Sequence, residues 1–78
     1  MTTEVKNMWN ERFGGNLVRL RADKISQKKL ADAAGVSARV IGMWENGERG
    51  PSWASAAVIA KVLNVSLDEF TKPVKLKR

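Results

Sequence analysis

The sequence predicts an all-α domain of five short helices, and three features carry that expectation. Apolar residues recur at three- and four-residue intervals, the period of a helix with one buried side. A Ser or Asn stands before each such run, where its side-chain oxygen can accept from a free N–H of the first turn. No stretch alternates apolar and polar residues as a half-buried strand would. At 78 residues the chain makes one domain. A chain this short buries only about 60% of the surface it exposes when unfolded, so its core must be well patterned.

The elements follow in order. Residues 1–10, "MTTEVKNMWN", are polar and mixed in charge and read as a loose N-terminal arm, with Trp9 able to pack back. The domain itself is expected over 11–71. Asn10 is the cap of the first helix, whose stripe is Phe13, Leu17 and Leu20, while Gly14 and Gly15 weaken its first turn. "RADKIS" ends it. Ser26 caps a second helix, "QKKLADAA", with Leu30, Ala31 and Ala34 inward, and Gly35 stands where a left-handed residue stops a helix. Ser37 caps a third helix running to about Glu45. "NGERGPS" is loop chemistry ending in another cap, Ser52. The fourth helix puts Trp53, Ala56, Ile59, Ala60 and Leu63 inward. Ser66 and Glu69 form a capping box for a short fifth helix with Leu67 and Phe70. Residues 72–78, "KPVKLKR", form a basic tail that reads as a disordered end or the start of a linker.

Composition narrows the function. The chain has no Cys and no His, so disulfides, thiolate metal sites and the commonest general base near neutral pH are all missing. Asp68 and Glu69 are the only adjacent carboxylates, and they fall at an ordinary helix start. An enzyme is not expected, nor a cofactor or metal. Fourteen Lys and Arg against eight Asp and Glu give a net charge of +6, which favours a polyanionic partner, nucleic acid before a membrane surface. The longest apolar run, "AAVIA", is far short of the ~20 residues that span a bilayer. With no apolar leader at its start, the chain is expected in the cytoplasm. So small an all-α chain offers no evident pocket for a small molecule.

The middle of the chain carries the sharpest pattern. Two short helices joined by a three- or four-residue turn with a Gly make a helix-turn-helix, and residues 27–46 fit it. Ala31 stands where the two helices would cross, and a bulkier side chain would force them apart. Gly35 opens the turn at a positive φ. Val36, Ile41 and Trp44 close the wedge. The opposite face of the second helix of this motif reads Ala38, Arg39, Gly42 and Met43. A solvated helix would carry Glu, Lys or Gln there, and a mid-helix Gly costs about 1 kcal/mol relative to Ala. Such a face asks for a contact.

On "LVRLR", "SQKKLADAAGVS", "IGMWENG", "GPSW" and "IAKVLNVSLDEF", covering about residues 13–70, the chain resembles the Cro/C1-type (xenobiotic-response-element) helix-turn-helix family of bacterial and phage regulators. The resemblance implies a five-helix lambda-repressor-like DNA-binding domain. It also implies an ion pair between Arg21 and Glu45 that ties the first helix to the third. Gln27 resembles the family's phosphate anchor, helped by the N–H groups that open its helix. One departure is visible: "ADKIS", between Arg21 and Gln27, is a residue shorter than the usual pattern and lacks its Gly, so that connection must be tighter.

A groove-facing role explains the thin face of the third helix. The major groove, about 12 Å wide, admits a helix whose axis comes near the base edges. Ala38 and Gly42 permit that approach, Arg39 can fork onto guanine O6 and N7, and Met43 with the Ala38 methyl can pack on a thymine methyl. Gln27, Lys28, Asn46 and Arg49 are the expected phosphate contacts. The plainer readings are that Met43 fills core, that Lys28, Lys29 and Lys61 are solvated charges, and that Trp44 and Trp53 are core aromatics.

Two partners are expected: double-stranded DNA, and a second copy of the chain, meeting around Leu67 and Phe70 or the tail on a near-palindromic site. The leading function is a sequence-specific transcriptional regulator of repressor type. An antitoxin-like or adaptor protein-binding module on the same fold is the alternative, and the DNA-reading head of a longer sensor is a third.

Overall fold

The computed structural model describes residues 3–74, with side chains from Met8 onward. Four α-helices follow one another: α1 Thr3–Arg21, α2 Gln27–Ala34, α3 Ala38–Glu45 and α4 Trp53–Leu63. A 3₁₀ helix, Leu67–Thr71, comes next, and no strand is present among the described residues. The class is all-α, and the fifth element is wound more tightly than an α-helix.

Short-range chemistry sets the ends of α2, α3 and α4. The hydroxyls of Ser26, Ser37 and Ser52 accept from the N–H groups of Lys29, Val40 and Ser55 at 3.1, 3.2 and 3.1 Å. Gly35 stops α2 at φ +74, in the left-handed region that favours glycine. Arg21 does most to close the short connection between α1 and α2. Its carbonyl accepts from the N–H groups of Lys24 and Ile25, and its Nη1 donates to the Ile25 carbonyl at 3.2 Å.

Every element contributes to the core, α4 most of all with Ala56, Ile59, Ala60 and Leu63. Phe13 of α1 sits at its centre, stacked on Phe70 with ring centroids 4.6 Å apart and edge-on to Trp44 at 5.9 Å. Leu17, Leu30, Ile41 and Ile59 close round it, all buried. The rest of the core follows the helical stripes read from the sequence.

Several expectations are corrected. The first helix begins at Thr3 and not after Asn10; residues 1 and 2 of the expected arm lie outside the described residues. The reason is tertiary: Trp9 packs between Phe13 and Trp53, at centroid distances of 5.4 and 4.9 Å, and Asn10 is buried inside the helix. Gly14 and Gly15 therefore lie in mid-helix. A Cβ on Gly14 would stand 2.1 Å from the Trp44 carbonyl oxygen, and one on Gly15 would press on Val74 at 2.9 Å. Gly14 lets the backbone of α3 come close, and Gly15 makes room for the Val74 side chain. Trp53 is 58% exposed, because it opens α4 and lays its ring on Trp9 instead of entering the core.

The capping box at the fifth element does not form. Ser66 Oγ accepts from the Asp68 N–H at 3.2 Å, and the Glu69 N–H returns to the Ser66 carbonyl at 3.0 Å. The Glu69 carboxylate turns instead to Lys72, at 2.9 Å, and Arg19, at 3.1 Å. Those hydrogen bonds, Lys72 first, hold its pKa below the ordinary carboxylate value. Asn16, buried on α1, donates from Nδ2 to the carbonyls of Arg12 and Lys72, each at 2.9 Å. Residues 72–74 of the expected tail are thus held on α1, and residues 75–78 lie outside the described residues.

Candidate nucleic-acid interface

Helices α2 and α3 and the turn at 35–37 form the helix-turn-helix. Ala31 and Ile41 are buried between the two helices and the rest of the core, and Trp44 closes the far end. The Val36 N–H reaches back to the Ala31 carbonyl at 3.0 Å, which, with Gly35, fixes the chain direction between the helices. The turn holds α3 with one side in the core and the other open.

That open side carries the four residues singled out in the sequence. Ala38 and Arg39 are exposed, and Gly42 and Met43 are half-buried. A Cβ built on Gly42 meets nothing within 4 Å, so no neighbour within the chain requires a glycine there. Arg39 makes no hydrogen bond or ion pair among the described residues, and neither do Lys28 and Arg49, all three exposed. On this side of the motif these three cations have no partner among the described residues.

The two ends of the motif are tied through one carboxylate. Glu45, the last residue of α3, accepts from Arg21 Nε and, at 3.1 Å, from Arg21 Nη2, while Gln27 Nε2 donates to it at 2.8 Å. The carboxylate is 7% exposed and the guanidinium side chain 15%. A half-buried pair of this kind is best held when the remaining lone pairs are also satisfied, and Gln27 supplies that bond. Because a carboxylate only accepts, the Gln27 nitrogen must face it. One amide hydrogen and the Oε1 atom are left for an outside partner. The first residue of α2, the last of α1 and the last of α3 thus share one node.

Beyond α3, Gly47 takes φ +74 and the Glu48 N–H returns to the Met43 carbonyl at 3.1 Å, ending the helix and sending the chain toward Arg49. Asn46 is the exposed C-cap, its N–H on the Gly42 carbonyl at 3.0 Å. Sequence reasoning missed what holds this loop from beneath. Trp9 Nε1 donates to the Pro51 carbonyl at 3.1 Å, and Gly50 lies so close to Asn10 that a Cβ would come 2.0 Å from its Oδ1. The available signal was a tryptophan in the segment read as a loose arm.

The helix-turn-helix family model matches residues 18–70. An uncharacterized HTH-type transcriptional regulator of Bacillus subtilis strain 168, YazB, is 42% identical over 50 residues, which are 64% of this chain and 72% of that protein. Among solved structures, the restriction-modification controller protein C.AhdI from Aeromonas hydrophila matches with a TM-score of 0.72 at 31% identity. That match covers 78% of this chain and 94% of the controller.

Proposed function

Since the chain belongs to the Cro/C1-type helix-turn-helix family of DNA-binding transcriptional regulators, we propose that it reads a specific double-stranded site with α3 and represses transcription there. The observation that carries this is the open side of α3: a glycine with no neighbour to accommodate, beside an arginine with no partner. Gly42 and Ala38 bring the helix axis near the base edges. Arg39 forks onto a guanine, and Met43 with the Ala38 methyl meets a thymine methyl. Lys28, Asn46 and Arg49 hold phosphates, and Gln27 does so through the amide hydrogen that Glu45 leaves free.

One recognition helix spans too few base pairs to single out a site among many, so two copies act together on a near-palindrome with half-sites ~34 Å apart. The contact between copies expected at Leu67 and Phe70 loses Phe70, which is wholly buried on Phe13. Leu67, half-buried, is the one of the two with surface left to offer. No helix among the described residues is long and apolar enough to cross a membrane, and the role places the protein with the DNA in the cytoplasm.

Selection of sites from a random duplex library, read by sequencing, tests this. A two-fold-symmetric motif should emerge, and transcription from a promoter overlapping it should fall when the protein is expressed. No enrichment would refute the DNA reading, asymmetric sites bound by one chain would refute the dimer, and raised transcription would refute repression.

A further inference from the structure

We propose that Trp9 is a positioning residue for the DNA backbone contact, clamping the loop after α3 so that Arg49 is presented to a phosphate. This rests on the DNA-binding reading above. Trp9 lies before the segment that the family model matches, 18–70, so the family likeness assigns it nothing.

Three observations converge on residues 46–52. The indole N–H of Trp9 donates to the Pro51 carbonyl at 3.1 Å, a bond between residues far apart in sequence. The same ring packs at a tilt against Trp53, the first residue of α4, with centroids 4.9 Å apart. Between them Gly50 has no side chain, and the space its Cβ would take is filled by Asn10 Oδ1 at 2.0 Å and Trp9 Cδ1 at 2.9 Å. The buried Pro51 adds a fixed φ to the held stretch. Arg49 stands immediately before this anchored stretch, exposed and unpaired among the described residues.

A loop with no regular structure must lose conformational freedom before its side chains can hold a ligand in one geometry. Here the loss has been taken at folding, because α1 extends past Asn10 far enough to bring an indole beneath the loop. The hydrogen bond goes to a backbone carbonyl, so it fixes the path of the chain and leaves the Arg49 side chain outside.

Trp9→Phe keeps an aromatic ring and removes the N–H, and the chain with this change is titrated on specific and scrambled duplexes at several salt concentrations, with Arg49→Ala and the double variant beside it. Trp9→Phe should weaken both duplexes alike, by about 2- to 10-fold, the worth of one hydrogen bond. It should also lower the salt slope toward that of Arg49→Ala. In the Arg49→Ala background it should change affinity by less than about 2-fold, since the contact it positions is gone. Gly50→Ala, which pushes the loop off both Asn10 and Trp9, should behave in the same way, and Asn10→Ala combined with it should recover only part of the affinity, because Trp9 Cδ1 still stands 2.9 Å from the added methyl. Circular dichroism at the titration temperature checks that each variant is folded.

Independent, multiplying effects of Trp9→Phe and Arg49→Ala would overturn the clamp, as would an unchanged salt slope. Failure of the parent chain to bind any duplex would instead overturn the DNA-binding reading itself.

Discussion

Replacing Gly42 should stabilise the free protein and loosen its hold on DNA, two changes of opposite sign from one substitution. Gly42 lies inside the eight-residue α3, where glycine is about 0.8–1 kcal/mol worse than alanine. A Cβ there meets nothing within 4 Å, so Gly42→Ala adds no clash to offset that gain. For a domain of this size ~1 kcal/mol moves the melting temperature by about 4–8 °C, and a rise toward that range is expected. Gly42→Leu should be nearly as stable, because leucine is close to alanine in helix propensity and its Cβ also meets nothing within 4 Å. In the groove that space is where the base edges lie, and the isobutyl group holds the helix away. The loss at the selected site should be tenfold or more, about 1.4 kcal/mol, with a much smaller loss on scrambled duplex. Thermal melts followed by circular dichroism give the first quantity and duplex titrations the second. A lower melting temperature for Gly42→Ala would show that the glycine serves the fold. Full specific affinity in Gly42→Leu would show that this side of α3 does not enter the groove.

Arg39→Ala should cost about 1–3 kcal/mol at the selected site and relax preference at one base pair, while binding to random DNA changes little. Arg49→Ala should weaken both duplexes alike and lower the slope of log K against log salt by about 0.9, one phosphate contact; exchanged outcomes would exchange the two roles. Gly14→Ala forces a methyl onto the Trp44 carbonyl, and a loss of about 1–3 kcal/mol in urea unfolding is expected despite alanine's better helix propensity; a gain would mean that α1 and α3 can separate freely. The pKa of Glu69 is depressed by Lys72 and Arg19, so its contribution to stability is present above the ordinary carboxylate range and is lost as pH falls through the lowered folded value. The stability difference between the parent and Glu69→Gln should therefore shrink on acidification, and a difference independent of pH would mean that the carboxylate charge plays no part.

What could be read from the sequence was local, or was fixed by a pattern confined to one stretch. Serines 26, 37 and 52 bond within their own first turns, and Gly35 answers to its own φ, so a few neighbouring letters suffice. The open side of α3 was legible because a glycine and an arginine stood where solvated residues belong. The illegible parts depend on partners far away in sequence. Nothing near Trp9 announces Pro51, and nothing near Asn16 announces Lys72. A helical wheel also put Trp53 inward, although an aromatic at the first position of a helix can swing beyond the core. The capping box at Ser66 failed for a partly related reason: Arg19, drawn in by tertiary folding, and Lys72, three residues on, compete for Glu69.

Gly14 has an electrostatic consequence for the helix it touches. The last turn of any α-helix exposes carbonyls without intrahelical donors, the negative pole of a dipole worth about half an elementary charge. On α3 that pole would repel a polyanion as strongly as the opening turn attracts it. The missing side chain at position 14 lets the flank of α1 lie against the carbonyl oxygens of Trp44 and Glu45. Arg21 brings its guanidinium to the carboxylate of the same turn, and the N–H groups of Asn46, Gly47 and Glu48 take the carbonyls of Gly42, Trp44 and Met43. At this end of α3 the cation offsets the Glu45 charge and the amides take the carbonyls. A glycine that weakens α1 as an isolated helix thereby shields whatever anion meets the exposed face of α3 from its negative pole.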